Sequence, residues 1–438
     1  MQSCLRVCAR PEGLIVAALR RGNTHLTTNS ALTNATRLQI ELFCRGVRID
    51  PSCDLAADAR GVRRTRAGLG SGLEVVIPGR KKDHWMNVPV VESFAQRSPW
   101  KLVKRGSGLE GRYFVVDDRT GDEHPVRLPP EPMWYAAKTP SGREMTEIGV
   151  LQGTYLGIYV GGVCGFWAGQ GHQACGFCTT GKNVGDAETL TKTVEDVVAT
   201  ALAAKRESDV TFVHLNTGYA GEKTLAVMEP YIRALKEEVG CLVGVQATPA
   251  KDLKQYDRLK DLGVDHLSFC YEFHDPETFR LWCPGKDHAL GQQAYFTALE
   301  YTSKLFGRGA CSGEIIAGVE PIEWTLKAID WIASVGAFPT VCIFRPTIGS
   351  RMEAEPSPDP AQMEIVFREV WNACRRHLVP VGMAPNIEVS LIVQPDEAGE
   401  LVEHGGLADA AWRGTLAVAK AASAPMFRRK MKPRRPTV

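Results

Sequence analysis

The chain of 438 residues carries almost no net charge: 52 Lys and Arg stand against 50 Asp and Glu, leaving +2 at neutral pH. That balance gives no bulk attraction to nucleic acid or to an anionic membrane, so neither is expected as a partner. No window offers the ~18 uninterrupted apolar residues that a membrane-spanning helix needs. There is no Gly-x-x-x-x-Gly-Lys-Ser/Thr phosphate loop. A corrinoid-type Asp-x-His-x-x-Gly is also missing, since residues 122–127 read DEHPVR without the glycine. One Cys-x-x-Cys exists and no second, which argues against two cysteine-rich clusters. Internal repeats and extended low-complexity blocks are absent.

What is there is ordinary in bulk and unusual in one place. Hydrophobic residues make up 44% and charged residues 23%, enough for a sizeable core in two or three domains. The thirteen cysteines are an odd count. Cys241, Cys270 and Cys342 sit inside apolar, strand-like runs and read as buried free thiols. This is no secreted disulfide framework, and a reducing cytoplasm is the expected compartment. Residues 1–36 hold Arg6, Arg10, Arg20 and Arg21 against one acid, Glu12. They read either as a disordered N-terminus or as an organellar presequence. Arg428, Arg429, Lys430, Lys432, Arg434 and Arg435 form a basic tail over 425–438. It reads as a solvated, disordered end, with an RNA or acidic-partner contact as the other reading.

In chain order, residues 37–145 read as a β-rich domain and linker. RLQIELFCRGVRI alternates with Leu38, Ile40, Leu42 and Cys44 on one face, as a strand does; LEVVIPG is another strand; GRYFVVDDRTGDEHPVRL is a hairpin turning at Thr120–Gly121. The proline-rich run 127–144 follows as a linker. From 146 to 350, six apolar strands alternate with amphipathic helices: 154–162, 209–218, 241–246, 265–272, 310–320 and 339–346. Such alternation needs a parallel sheet. The expected fold is α/β, a partial (β/α)6 TIM-like barrel with a β-rich N-terminal extension. A C-terminal extension over 351–424 holds a sixth helix, AQMEIVFREVWNACRRH, and one further strand candidate, NIEVSLIV. Active sites of barrels lie at the C-terminal ends of the strands. Cys164, Asn216–Glu222, Glu272, Gly318–Glu320 and Arg345 all fall there.

The stretch GGVCGFWAGQGHQACGFCTTGKNVG, residues 161–185, holds Cys164, Cys175 and Cys178, spaced by ten and then two residues and embedded in glycine. Three thiolates suit an iron–sulfur cluster with one iron left open. Cys164, His172, Cys175 and Cys178 also suit a Cys3His zinc site in a non-enzymatic binding or scaffold protein. The Cys-x-x-Cys alone is compatible with a redox pair. Trp167, Gln170 and His172 lie in the ten-residue insertion, either facing substrate or packing the loop. His214 and His266 alternate within strands and read as interior packing.

With Phe177 directly before Cys178, the CGFC half of the loop resembles the radical S-adenosylmethionine superfamily, whose motif spaces three cysteines by three and two residues. The ten-residue first gap departs from it. NTGYAGE, with Gly218, Gly221 and Glu222, resembles the family's segment for the methionine amino group; Glu272 matches its ribose-binding strand end, and IIAGVE with Gly318 its adenine-backing strand. Arg345 would pair with a carboxylate, and Gln246 would face the barrel. The resemblance implies a [4Fe-4S] cluster on Cys164, Cys175 and Cys178. It implies S-adenosyl-L-methionine held by Gly218, Gly221, Glu222, Glu272, Gly318 and Arg345. It also implies reductive cleavage to a 5′-deoxyadenosyl radical that abstracts a substrate hydrogen, an external flavodoxin- or ferredoxin-like electron donor, and a small-molecule or peptide substrate.

Overall fold

The computed structural model describes residues 34–58, 60–64, 70–106, 111–168, 173–402 and 406–434. The expectation for the arginine-rich N-terminus falls almost wholly outside them.

Seven short strands come first: β1 (Arg48–Ile49), β2 (Val62–Arg64), β3 (Ser71–Ile77), β4 (His84–Pro89), β5 (Trp100–Arg105), β6 (Arg112–Asp117) and β7 (Glu123–Val126). They form a three-stranded sheet, β2-β3-β4, and a four-stranded sheet, β1-β5-β6-β7. The expected hairpin is β6–β7, paired antiparallel from Tyr113–Val126 to Val116–Glu123. Its turn closes through Gly121 at φ +79°, a left-handed position that glycine fills without strain.

Residues 38–44 are not a strand. They belong to a helix, Ala35–Arg45, whose first N–H groups at Thr36 and Arg37 are capped by the Asn34 side chain. The alternation misled because Leu38/Leu42 and Ile40/Cys44 are also i,i+4 pairs. Thr36, Gln39 and Phe43 are buried as well. A helix covered on most sides shows no clean 3.6-residue stripe.

The main sheet follows: β8 (Val150–Gln152), β9 (Tyr155–Tyr159), β10 (Phe212–Asn216), β11 (Leu242–Gln246), β12 (His266–Glu272), β13 (Cys311–Ala317) and β14 (Phe338–Ile343). Its order is β14-β13-β12-β11-β10-β9-β8. β9 to β14 are parallel throughout, and β8 turns back antiparallel on β9. This is a half-barrel on the six expected strands, with crossover helices such as Val194–Ser208, Lys254–Leu262, Gln292–Phe306 and Ile322–Ser334 outside it. Thr193 caps the first of these by accepting the Asp196 N–H. The buried Asp196 carboxylate in turn holds Ser141 of the linker, 2.6 Å from its hydroxyl. One apolar core runs from Leu38, Val75 and Leu102 through Val213, Val245 and Phe269 to Phe367.

NIEVSLIV is not a strand either. Only Val389 bridges, to Gly153. The segment is an irregular strap whose carbonyls serve other elements: Glu388 accepts Thr154 N–H at 3.0 Å and Ser390 accepts Asn87 N–H at 2.6 Å. The described part of the basic tail is docked rather than free. The Gly406–Lys430 helix brings Phe427, and the next residue after the helix, Met431, against Tyr155, Phe212 and Leu242, below the N-terminal ends of the strands. Lys430 Nζ lies 3.0 Å from Asp265, and Arg434 donates to the Leu262 carbonyl at 3.1 Å.

Candidate functional site

Cys164 leaves β9 five residues after Tyr159 and is fixed from the neighbouring strand exit. Gly165 N–H donates to the Tyr219 carbonyl at 2.8 Å, and Tyr219 N–H points at Cys164 Sγ at 3.4 Å. The Phe166 ring stacks on Tyr219 at 4.2 Å and 8°. Tyr159 Oη accepts Gly218 N–H at 2.9 Å and donates to the Gly162 carbonyl at 3.0 Å. A Cβ on Gly218 would stand 2.5 Å from Cys164 Cβ, so only glycine permits this approach.

The predicted Gly218–Glu222 segment is therefore divided. Gly218 lies beneath Cys164. Gly221 is an open turn at φ +64°. Glu222 points outward, its side chain 80% exposed and 3.7 Å from Lys251, and does not line the cavity.

Cys175 is held from the other side by residues 282–285. Gly176 N–H donates to the Trp282 carbonyl at 2.7 Å, and Gly285 N–H to the Gln173 carbonyl at 3.1 Å. The two bonds bracket Cys175 and the buried Cys283, whose thiols hydrogen-bond; this contact holds the Cys175 thiol below its usual range. Cys178 Sγ lies 2.9 Å from Thr180 Oγ1 and accepts Thr180 N–H at 3.4 Å. Burial, then the neighbouring Cys175, push the Cys178 thiol up to about 12.

Cys164, Cys175 and Cys178 line one cavity of about 1360 Å³. Among the described residues no three His, Cys, Asp or Glu side chains close on a single metal ion. A cubane takes one thiolate at each of three irons, so its ligands need not converge on one point. Three thiols, two of them met by a backbone N–H, fit such a cluster. A tetrahedral zinc site needs four donors around one ion. The described donors give that reading no support, and His172 lies outside the described residues, as does Gln170. Trp167 packs over Gly181.

The other predicted residues separate by position. Glu272 lines the cavity at the end of β12, at a bulge and with φ +71°, unusual for a non-glycine. Its Oε1 is 2.5 Å from Lys286 Nζ, and Lys286 also donates to the Cys270 carbonyl at 2.6 Å. Burial pulls the Lys286 ammonium down, but the Glu272 carboxylate more than offsets it and keeps the lysine charged. Arg345 lines the cavity with its charge already matched by Glu92 of the N-terminal region at 2.5 Å. Gln246 faces inward as expected, donating to Glu314 and, at 3.0 Å, to Cys270 Sγ.

Gly318 does not line the cavity. It is a turn glycine at φ +96°, pressed against Pro358. The nearby Glu320 has a structural role, since it accepts the N–H groups of His274 and Asp275, both at 2.8 Å, and so joins the exits of β12 and β13. His214 and His266 stack on Phe212 and Phe338 at 5.5 and 5.4 Å, and both also line the cavity. Sequence reasoning missed Lys286, Cys283, Glu314 and Tyr159. The first two sit in a short helical insertion and carry no motif, whereas Glu314 is readable as the one acid inside an apolar strand.

No family model matches the chain. A curated relative, bacteriochlorophyllide c C-7(1)-hydroxylase of Chlorobaculum limnaeum, is 28% identical over 136 residues, 30% of this chain. The match spans about a third of that protein's length, 34%. Among solved structures, methylornithine synthase (PylB) gives a TM-score of 0.39 at 17% identity over 50% of this chain and 62% of its own. A radical SAM methyltransferase from Sphaerobacter thermophilus gives 0.38 at 14% identity over 63% of this chain and 75% of its own. The three-cysteine loop stands at the C-terminal mouth of a six-stranded parallel half-barrel, and over 136 residues the chain is similar to that hydroxylase.

Proposed function

We propose that the chain is an enzyme that binds a [4Fe-4S] cluster on Cys164, Cys175 and Cys178 and cleaves S-adenosyl-L-methionine reductively. The observation that carries this is that three thiols from one loop line a single barrel cavity that also holds the Glu272–Lys286 pair. When bound, the cluster and its ligand supply one-electron cleavage of the sulfonium bond and a 5′-deoxyadenosyl radical that removes a substrate hydrogen.

The chain's own part is placement. Tyr219 and Thr180 present N–H groups to the sulfurs of Cys164 and Cys178. Gly218 lets the loop close on β10. Glu272, paired with Lys286, offers a carboxyl oxygen at the rim for a ligand's hydroxyl hydrogens; burial raises this carboxyl above its usual range, and Lys286 only partly opposes that. Since Glu222 faces solvent and Arg345 is taken by Glu92, we assign neither to S-adenosylmethionine. The electron comes from a small redox protein.

Anaerobically reconstituted protein should hold about four irons and four sulfides per chain, show a reduced-cluster EPR signal that changes on adding S-adenosylmethionine, and release 5′-deoxyadenosine with reductant. A Cys178→Ala protein with full iron loading and cleavage would overturn the ligand assignment. Zinc without iron after anaerobic purification would replace the proposal with the binding-protein reading.

A further inference from the structure

Below the mouth, the half-barrel wall carries a second polar layer that the cluster does not use. Along β12, alternation puts His266, Ser268, Cys270 and Glu272 on one face, and along β13 it puts Ser312, Glu314 and Ile316 there. His266, Cys270, Glu272, Ser312, Glu314 and Ile316 all line the cavity. Register sets Asn216 beside Gln246, Gln246 beside Ser268, and Cys270 beside Glu314.

The charges of this wall do not cancel. Glu272 is matched by Lys286 and Arg345 by Glu92, both at 2.5 Å. Glu314 has two uncharged donors, the Gln246 amide and the Cys270 thiol, the latter at 2.8 Å. Among the described residues no Lys, Arg or His stands within ion-pair distance of it. His266 lies on the same wall, and burial holds its imidazole below the usual range, so it does not supply the missing charge.

The same layer has idle acceptors. Asn216, on the cavity lining, has its Oδ1 shut off from solvent without a hydrogen-bond partner; Ser268 Oγ, outside the lining and 1% exposed, has none either. A half-buried carboxylate that meets only neutral donors, beside a buried oxygen without a donor, favours a cationic donor in the cavity. A primary ammonium answers Glu314: it carries a positive charge, three donors and no acceptor. Beneath the layer the wall is aromatic, with the stacked Phe212–His214 and His266–Phe338 pairs. Such rings favour an apolar body attached to a cation.

We propose that the Glu314 layer binds the ammonium group of an organic primary amine, the substrate of this enzyme, with the amine's apolar body against the aromatic wall. This rests on reading the barrel as the substrate site, but its test needs neither cluster nor cleavage.

The probes are phenethylamine, an ammonium at neutral pH, and its neutral analogue 2-phenylethanol, titrated calorimetrically and by saturation-transfer NMR against the purified full chain. The wild type should bind the amine about ten- to a hundredfold more tightly than the alcohol, the range of a charge-assisted hydrogen bond. Glu314→Gln should bring the two within about twofold while leaving the alcohol's affinity unchanged, and Glu314→Asp should keep part of the preference. Equal binding of the two probes by the wild type, or a preference that survives in Glu314→Gln, overturns the proposal. S-adenosylmethionine carries an ammonium of its own. If it displaces the amine competitively from the wild type without reductant, Glu314 serves that ligand and the substrate assignment falls. Absence of 5′-deoxyadenosine in the earlier assay would leave the binding result standing.

Discussion

Cys283 stands more than a hundred positions from Cys175 in sequence and within hydrogen-bond reach of it in the fold. Diamide, a diazene oxidant, should therefore take one hydrogen from each thiol and leave a Cys175–Cys283 disulfide in cluster-free protein. A non-reducing peptide map should show it, and Cys283→Ser should abolish it. A Cys175–Cys178 link in its place would refute the contact. Gly218 and Glu222 offer the opposite contrast, because they share one motif and have different fates. Gly218→Ala forces a Cβ into Cys164 and should cost about 1–3 kcal/mol, with reduced iron loading, by chemical denaturation and iron analysis. Glu222→Gln should change stability by less than about 0.5 kcal/mol and leave S-adenosylmethionine binding as it was. Residue type told where chemistry was concentrated, but it could not tell a glycine that admits a cofactor from one that admits a neighbouring loop.

Elements read well wherever burial leaves a period in the sequence. All six parallel strands lie where their apolar runs do, because strands covered on both faces are continuously hydrophobic. The helix at 35–45 and the strap at 386–393 did not read well, since tertiary partners decide both. Glu74 on β3 belongs to that strap: its carboxyl accepts Ser390 Oγ at 2.7 Å and Asn87 Nδ2 at 3.2 Å. Burial, only partly relieved by these bonds, pushes it from 4.5 to about 7. A raised carboxyl means that the folded state holds the proton more tightly. The gain is full below pH 4.5 and is lost as pH rises through about 7. Between those limits the wild type should lose roughly 1–3 kcal/mol more stability than Glu74→Gln, by denaturant titration at each pH. Identical pH profiles would show that Glu74 is not the group responsible. The C-terminal helix makes its own prediction. Removing residues 425–438 uncovers Tyr155, Phe212 and Leu242, so the truncated chain should melt several degrees lower and bind more of an apolar fluorescent dye.

At the scale of the whole molecule, the N-terminal sheets and the half-barrel share one core and one buried ion pair, Arg345–Glu92. Arg345→Met strands Glu92, which is 1% exposed, and should destabilise the fold by about 3–5 kcal/mol, whereas Arg345→Lys should recover part of that. A mild effect on stability with loss of S-adenosylmethionine binding would return Arg345 to the cofactor.

By itself the sequence determined the parallel α/β order, the cysteine loop after the first barrel strand and the bland surface charge, because apolar runs, ligand types and net charge are local properties of the chain. Only the tertiary structure decided that Glu222 faces solvent, that Lys286 and Cys283 stand at the mouth, and that Glu314 meets no counter-charge among the described residues. Whether a charged group is matched depends on residues brought from distant strands and helices, and no spacing along the chain records that distance.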